Sequence, residues 1–212
     1  MDNYIFGKNS VEFVTVGVEF CAFMERTTEM TQEEFTSTCV KLLPLLYLKG
    51  TLLPEGEEDS EYFDTPEQFV TEEYYEFLRR NIEHILGDKD AYLQVQSSDM
   101  QYSDLPIAAS VAEDLADLYQ VIKDCVSAYR TENEECMRAA LTICREDFKT
   151  YWGAKLLSAL GPLHRICFDT ESDDIYECEC GHHHHHTHDE ENFYQHRQSD
   201  WYADEEDADR WL

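Results

Sequence analysis

Apolar residues recur every three or four positions through the second half of the chain. After Asp104 and Pro106 the series runs Ile107, Val111, Leu115, Leu118, Ile122, Cys125, Val126 and Tyr129. Such a stripe lies along one side of an α-helix and needs another apolar face to bury it. Thr131-Glu132-Asn133-Glu134 then supplies a capping signal. The stripe that follows is Met137, Leu141, Cys144, Phe148, Trp152, Leu156, Ala159, Leu160, Leu163 and Cys167. Its phase survives Gly153, so the spacing predicts one long helix over 133–168, bent at Gly153 or near Gly161-Pro162.

The first half reads the same way. Ser10 is expected to cap a helix reaching about Glu25, with Val11, Val14, Val18 and Cys21 on one stripe. Phe13, Val16, Phe20 and Phe23 lie on adjacent faces, so this helix is expected to be buried on most sides. Thr31-Gln32-Glu33-Glu34 has the capping-box spacing, and its helix continues through Phe35, Cys39, Leu43 and Leu46, with a kink at Pro44. Pro54 and the acids of 55–59 form an exposed loop. Thr65-Pro66-Glu67-Gln68 predicts a third start, followed by Phe69, Val70, Tyr74, Phe77, Leu78, Ile82 and Ile85, with Gly87 as the stop. Within 88–102, Ala91-Tyr92-Leu93-Gln94-Val95 is at most a short extended piece. Nothing alternates at period two strongly enough to predict a sheet. The expected fold is an all-α bundle of five or six helices over residues 1–168, with an acidic, His-rich C-terminal tail over 169–212.

Charge narrows the function. The 212 residues include 46 acidic and 16 basic side chains, a net charge of −30. Such a surface repels nucleic acid and anionic lipid. Hydrophobic residues at 42% set the chain apart from disordered acidic polymers. There is no run near the roughly 18 apolar residues of a membrane span, and Met1-Asp2-Asn3-Tyr4 lacks the basic start of a signal peptide. A cytoplasmic protein is expected, with no nucleic-acid or membrane partner. Of the eight cysteines, Cys21, Cys39, Cys125, Cys136, Cys144 and Cys167 fall in apolar helical patterns, where a thiol acts as a small hydrophobe. Their spacing gives no disulfide framework. The tail carries 15 acidic and two basic residues, yet it also holds Phe193, Tyr194, Trp201, Tyr202, Trp211 and Leu212, some of which are expected to dock on the helical body.

Three clusters carry candidate chemistry. Cys178, Cys180, His182, His183, His184, His185, His186 and His188 offer thiolate and imidazole, the ligands that Zn and Ni prefer, and Asp189, Glu190 and Glu191 add negative charge. Glu72 or Glu73 shares a helical face with Glu76, and Glu113, Asp114 and Asp117 are placed likewise. Paired acids on two helices can hold Mg²⁺ against a nucleotide, the logic of all-helical pyrophosphohydrolases. Their second half would here be Asp114-Leu115-Ala116-Asp117, with the wrong first residue and an overlong gap. The stripe of Ser110, Glu113, Asp114, Asp117, Gln120 and Asp124 is most simply an outward face. If it faced a groove, shared charge would raise carboxyl pKa values and favour a cation. His84 and His164 read as structural histidines within amphipathic helices. No catalytic residue and no cofactor is assigned, since no nucleophile elbow, phosphate loop or dinucleotide fingerprint is present.

Several segments carry a resemblance. They are 11–16 with Glu19-Phe20-Cys21-Ala22-Phe23, Leu42-Leu43-Pro44-Leu45-Leu46-Tyr47-Leu48-Lys49, Met100 to Pro106 running on to Glu113-Asp114-Leu115-Ala116-Asp117-Leu118-Tyr119-Gln120, and Tyr151-Trp152-Gly153. Across about 10–165 the chain resembles a family of roughly 200-residue helical bacterial proteins from gut anaerobes, catalogued as a domain of unknown function. The resemblance implies a cytosolic helical domain and brings no activity or site residue with it. The leading expectation is a non-enzymatic binding or scaffold module with an acidic surface and a basic protein partner. The alternatives are a transition-metal (Zn/Ni) binding protein acting through the tail, and a Mg-dependent all-α nucleotide pyrophosphohydrolase.

Overall fold

The computed structural model describes residues 4–55, 68–94 and 107–168. Helices α1 (Lys8–Met24), α2 (Gln32–Thr51), α3 (Glu72–Leu86), α4 (Val111–Tyr129), α5 (Glu134–Asp147) and α6 (Gly153–Phe168) form an all-α bundle. Strands β1 (Ala91–Gln94) and β2 (Ile107–Ser110) make a small antiparallel ladder between α3 and α4. Helix α4 is the hub, packing on α1, α3, α5 and α6, while α2 closes against α1 and α6. Its stripe of Val111, Leu115, Leu118, Ile122, Cys125 and Val126 is buried, as the spacing predicts. Trp152, Phe13, Phe20, Phe35, Leu43, Leu46 and Ile82 complete the core. Each such side chain contributes roughly 1.5–3 kcal/mol on burial.

Local signals set several helix ends. Thr31 accepts from the Glu34 N–H while the Glu34 carboxylate accepts from the Thr31 N–H, closing the expected capping box. Gly87 ends α3 at φ +57°, a conformation that a side chain would strain. Other ends differ from expectation. Helix α1 starts at Lys8, because the buried Ser10 hydroxyl donates to the Tyr4 carbonyl and so does not cap, and Val11 turns outward at 44% exposure. Helix α5 is capped by Asn133, which accepts from the N–H groups of Glu135 and Cys136, and Thr131 instead donates to the Ala128 carbonyl.

Two corrections have long-range causes. Helix α3 opens at Glu72 with Thr71 as its cap, several residues after the expected start at 65–68. Phe69 and Val70 stay outside it because their N–H groups donate to the Asp124 carboxylate on α4, at 2.7 and 3.2 Å. Residues 107–110, expected in the fourth helix, instead pair with 91–94, in register Ala91↔Ser110 through Gln94↔Ile107. Asp90 fixes that junction. Its carboxylate accepts from the Ser110 hydroxyl and the Ala112 N–H, and its carbonyl accepts from the Val111 N–H. Position 104 and its neighbours up to 106 lie outside the described residues.

The long C-terminal helix is continuous but contains a π turn at Phe148–Trp152 between α5 and α6. Phe148 and Trp152 pack edge to face at 4.6 Å, and Trp152 donates to the Cys144 carbonyl at 2.8 Å. Small residues make the room. A Cβ on Gly50 would meet Trp152 Cη2 at 2.7 Å, and one on Gly153 would meet the Phe148 carbonyl oxygen at 2.5 Å.

Candidate functional site

The polar stripe of α4 does not simply face water. Asp114 is buried at 7% exposure, and Asp117 lies half-buried one turn further on. Lys155 from α6 reaches between them, with Nζ at 3.3 Å from Asp114 Oδ1 and 2.6 Å from Asp117 Oδ2. Three tyrosines complete the group. Tyr92 on β1 donates to Asp114 Oδ2, Tyr75 on α3 donates to Asp117 Oδ1 at 2.7 Å, and Tyr151 in the π turn donates to Asp117 Oδ2 at 2.8 Å. The π turn gives its extra residue to the bend that brings Tyr151 there while Trp152 enters the core.

The electrostatics follow from burial and pairing. Desolvation raises the Asp114 carboxyl despite the opposing pull of Tyr92 and Lys155. Burial works against charge on Lys155, but the hydrogen bond and charge of Asp117, with the charge of Asp114, outweigh it and hold the ammonium above its usual range. Tyr151 is pushed up to about 12 by burial and by Asp117. The ammonium stays charged and the phenols stay neutral near pH 7, so the group forms a closed donor–acceptor network. It ties α3, β1, α4, the π turn and α6 together.

This geometry bears on the metal readings. Lys155 takes the place between Asp114 and Asp117 where a cation would bind. Glu76 pairs with Arg79 and Arg80, and Glu72 and Glu73 are exposed. Among the described residues no three His, Cys, Asp or Glu side chains converge as a metal site. Cys178, Cys180, His182, His183, His184, His185, His186 and His188 lie outside the described residues, as do the tail aromatics. His84 and His164 correct the expectation of structural histidines: both are exposed, His164 stacking on Phe168 at 4.7 Å. Cys136 is likewise exposed, whereas Cys21, Cys39, Cys125 and Cys144 are buried.

A second feature is open. Between α4 and α5 lies a cavity of about 250 Å³. Val121, Ala140 and Ile143 give it apolar walls, and Gln68, Gln120, Asp124 and Asp147 give it polar ones. Desolvation raises both carboxyls, Asp124 against the opposing pull of the Phe69 and Val70 N–H groups, Asp147 with help from Glu146. Among the described residues neither has a cationic partner, and the Asp147 carboxylate accepts no hydrogen bond.

Sequence reasoning singled out Asp114, Asp117 and Asp124 but missed Tyr75, Tyr92, Tyr151, Lys155, Asp90 and Asp147. A polar lysine inside the apolar stripe of α6 was the one available signal. Tyr75, Tyr92 and Tyr151 carry no local signal of a polar role, because a phenol serves core and network equally well.

The comparisons agree with this architecture. The crystal structure of a Bacteroides fragilis protein, a structural-genomics target, superposes with a TM-score of 0.70 at 41% identity, over 80% of this chain and 98% of that one. No curated protein matches. None of the helices among the described residues is long and apolar enough to cross a membrane. The family described as a domain of unknown function, DUF5063, matches residues 4–169, and the chain belongs to that family.

Proposed function

We propose that the chain is a non-enzymatic binding module whose acidic body recognises a cationic segment of a protein partner. The observation that supports this reading is where its charge is left uncompensated. Residues 1–168 carry 31 acidic and 14 basic side chains. Lys49, Arg79, Lys123, Arg145, Lys149 and Lys155 are all occupied in ion pairs with carboxylates of the same chain. The groups that resemble catalytic machinery are also occupied. Asp114 and Asp117 are both paired with the Lys155 ammonium, and burial pushes the Cys21 thiol up to about 12, away from the nucleophilic thiolate. Among the described residues no cation pairs with the desolvated carboxylates of Asp124 and Asp147, and partner cations would supply the counter-charge.

The test is the salt dependence of association with a labelled oligolysine peptide, followed by fluorescence anisotropy. Affinity is expected to fall by about tenfold or more between about 50 and 300 mM NaCl, because partly exposed charge pairs are screened over that range. Absence of binding at low salt, or binding indifferent to salt, rules the reading out.

A further inference from the structure

Most of the acidic surface is open to water, where a carboxylate gains little from any one cation. The cavity between α4 and α5 differs in shape and surroundings. It has a volume of about 250 Å³, and its walls include methyl and methylene groups of Val121, Ala140 and Ile143. Among the described residues Asp124 and Asp147 border it as carboxylates, and Gln68 and Gln120 as amides. A recess lined by both apolar side chains and acceptors suits a ligand that has a hydrocarbon stem and a compact cationic end.

We propose that this cavity is a socket for an alkylammonium group, the side chain of a lysine on the partner. Its methylene stem would lie against Val121, Ala140 and Ile143, and its cation between Asp124 and Asp147. This rests on the binding-module reading and adds the place and the chemistry. An ammonium brings three donors to a point, which suits a lining that offers two carboxylates and the amide oxygens of Gln68 and Gln120. A guanidinium is a planar fork suited to one carboxylate held flat. Asp147 is the informative residue. Asp124 also holds the Phe69 and Val70 N–H groups just before α3, whereas the Asp147 carboxylate accepts no hydrogen bond among the described residues. A desolvated carboxylate that supports no structure is what a binding site keeps at a cost to stability.

Calorimetry of the full chain with an octalysine peptide, its fully acetylated form and spermidine tests the assignment. The unmodified peptide is expected to bind and the acetylated one not to bind. Asp147→Asn should weaken octalysine binding about tenfold or more, while its Tm at pH 7 stays level or rises by about 1–3 °C. Val121→Phe, which narrows the recess without changing charge, should weaken binding as strongly. Equal affinity of Asp147→Asn and the unsubstituted chain overturns the socket while leaving the binding reading in place. Failure of octalysine to bind at low salt defeats the reading itself. Spermidine binding more tightly than the peptide, and lost in Asp147→Asn, assigns the cavity to a free amine and overturns the lysine.

Discussion

Removing the Lys155 ammonium would leave Asp114 and Asp117 sharing a partly desolvated site with no counter-ion. Deleting one partner of such a group costs more than the pair contributes, because the remaining charge is left uncompensated. Lys155→Met is therefore expected to lower stability by about 2–4 kcal/mol at pH 7. The loss should shrink at pH 5. Burial already raises the Asp114 carboxyl, and without Lys155 its folded value moves further above the unfolded one. The native state then holds the extra proton, so stability falls as pH rises through that folded value. Urea unfolding at the two pH values checks this, and an equal loss at both would contradict it. A stripe of acids on α4 was legible in the sequence. The burial of Asp114 was not, because it depends on Lys155, 41 residues away, and Tyr92, 22 residues away.

Helix boundaries show why some signals can be read locally. The Thr31–Glu34 box spans three residues and closes as expected. The start of α3 and the β1–β2 ladder depend instead on Asp124 and Asp90, which reach backbone N–H groups 54–55 and 22 residues away. A carboxylate on another helix can hold a segment extended even where its own pattern suits a helix. The π turn has a similar origin. Phe148 and Trp152 both fit against α2 only because Gly50 offers no side chain. Gly50→Ala is expected to destabilise the fold by about 1–3 kcal/mol, since the added Cβ would press on the fully buried Trp152 indole and the partly buried Phe148 ring. Thermal unfolding measures it, and a Tm within a degree of the unsubstituted chain would show that the π turn can absorb the methyl.

At the scale of the molecule, charge and pH act together. Burial raises Asp114, Asp124 and Asp147 above the ordinary carboxylate range. Across the window from the unfolded to the folded values the native state binds more protons than the unfolded chain, so stability falls as pH rises through it. Glu12, Glu34, Glu76 and Glu146 act the opposite way. Their partners lower them, and the stability they contribute is lost as pH falls through their folded values. Those four are solvated, and such pairs contribute little. With a net charge of −30 adding self-repulsion, Tm is expected to be higher near pH 5 than at pH 7, and to rise with NaCl at pH 7. Scanning calorimetry over pH and salt tests both, and a Tm that falls with added salt would show that attractive pairs dominate.

Spacing and composition alone determined that the body is a helical bundle, that 111–129 and 133–168 supply its central stripes, and that the chain is acidic. These follow from spacing and composition, which hold wherever the chain runs. Tertiary structure alone decided which acids are buried, which cation neutralises them, and which carboxylates border an open cavity. Those outcomes depend on side chains brought together from distant positions, because burial is a property of what packs on a residue rather than of the residue.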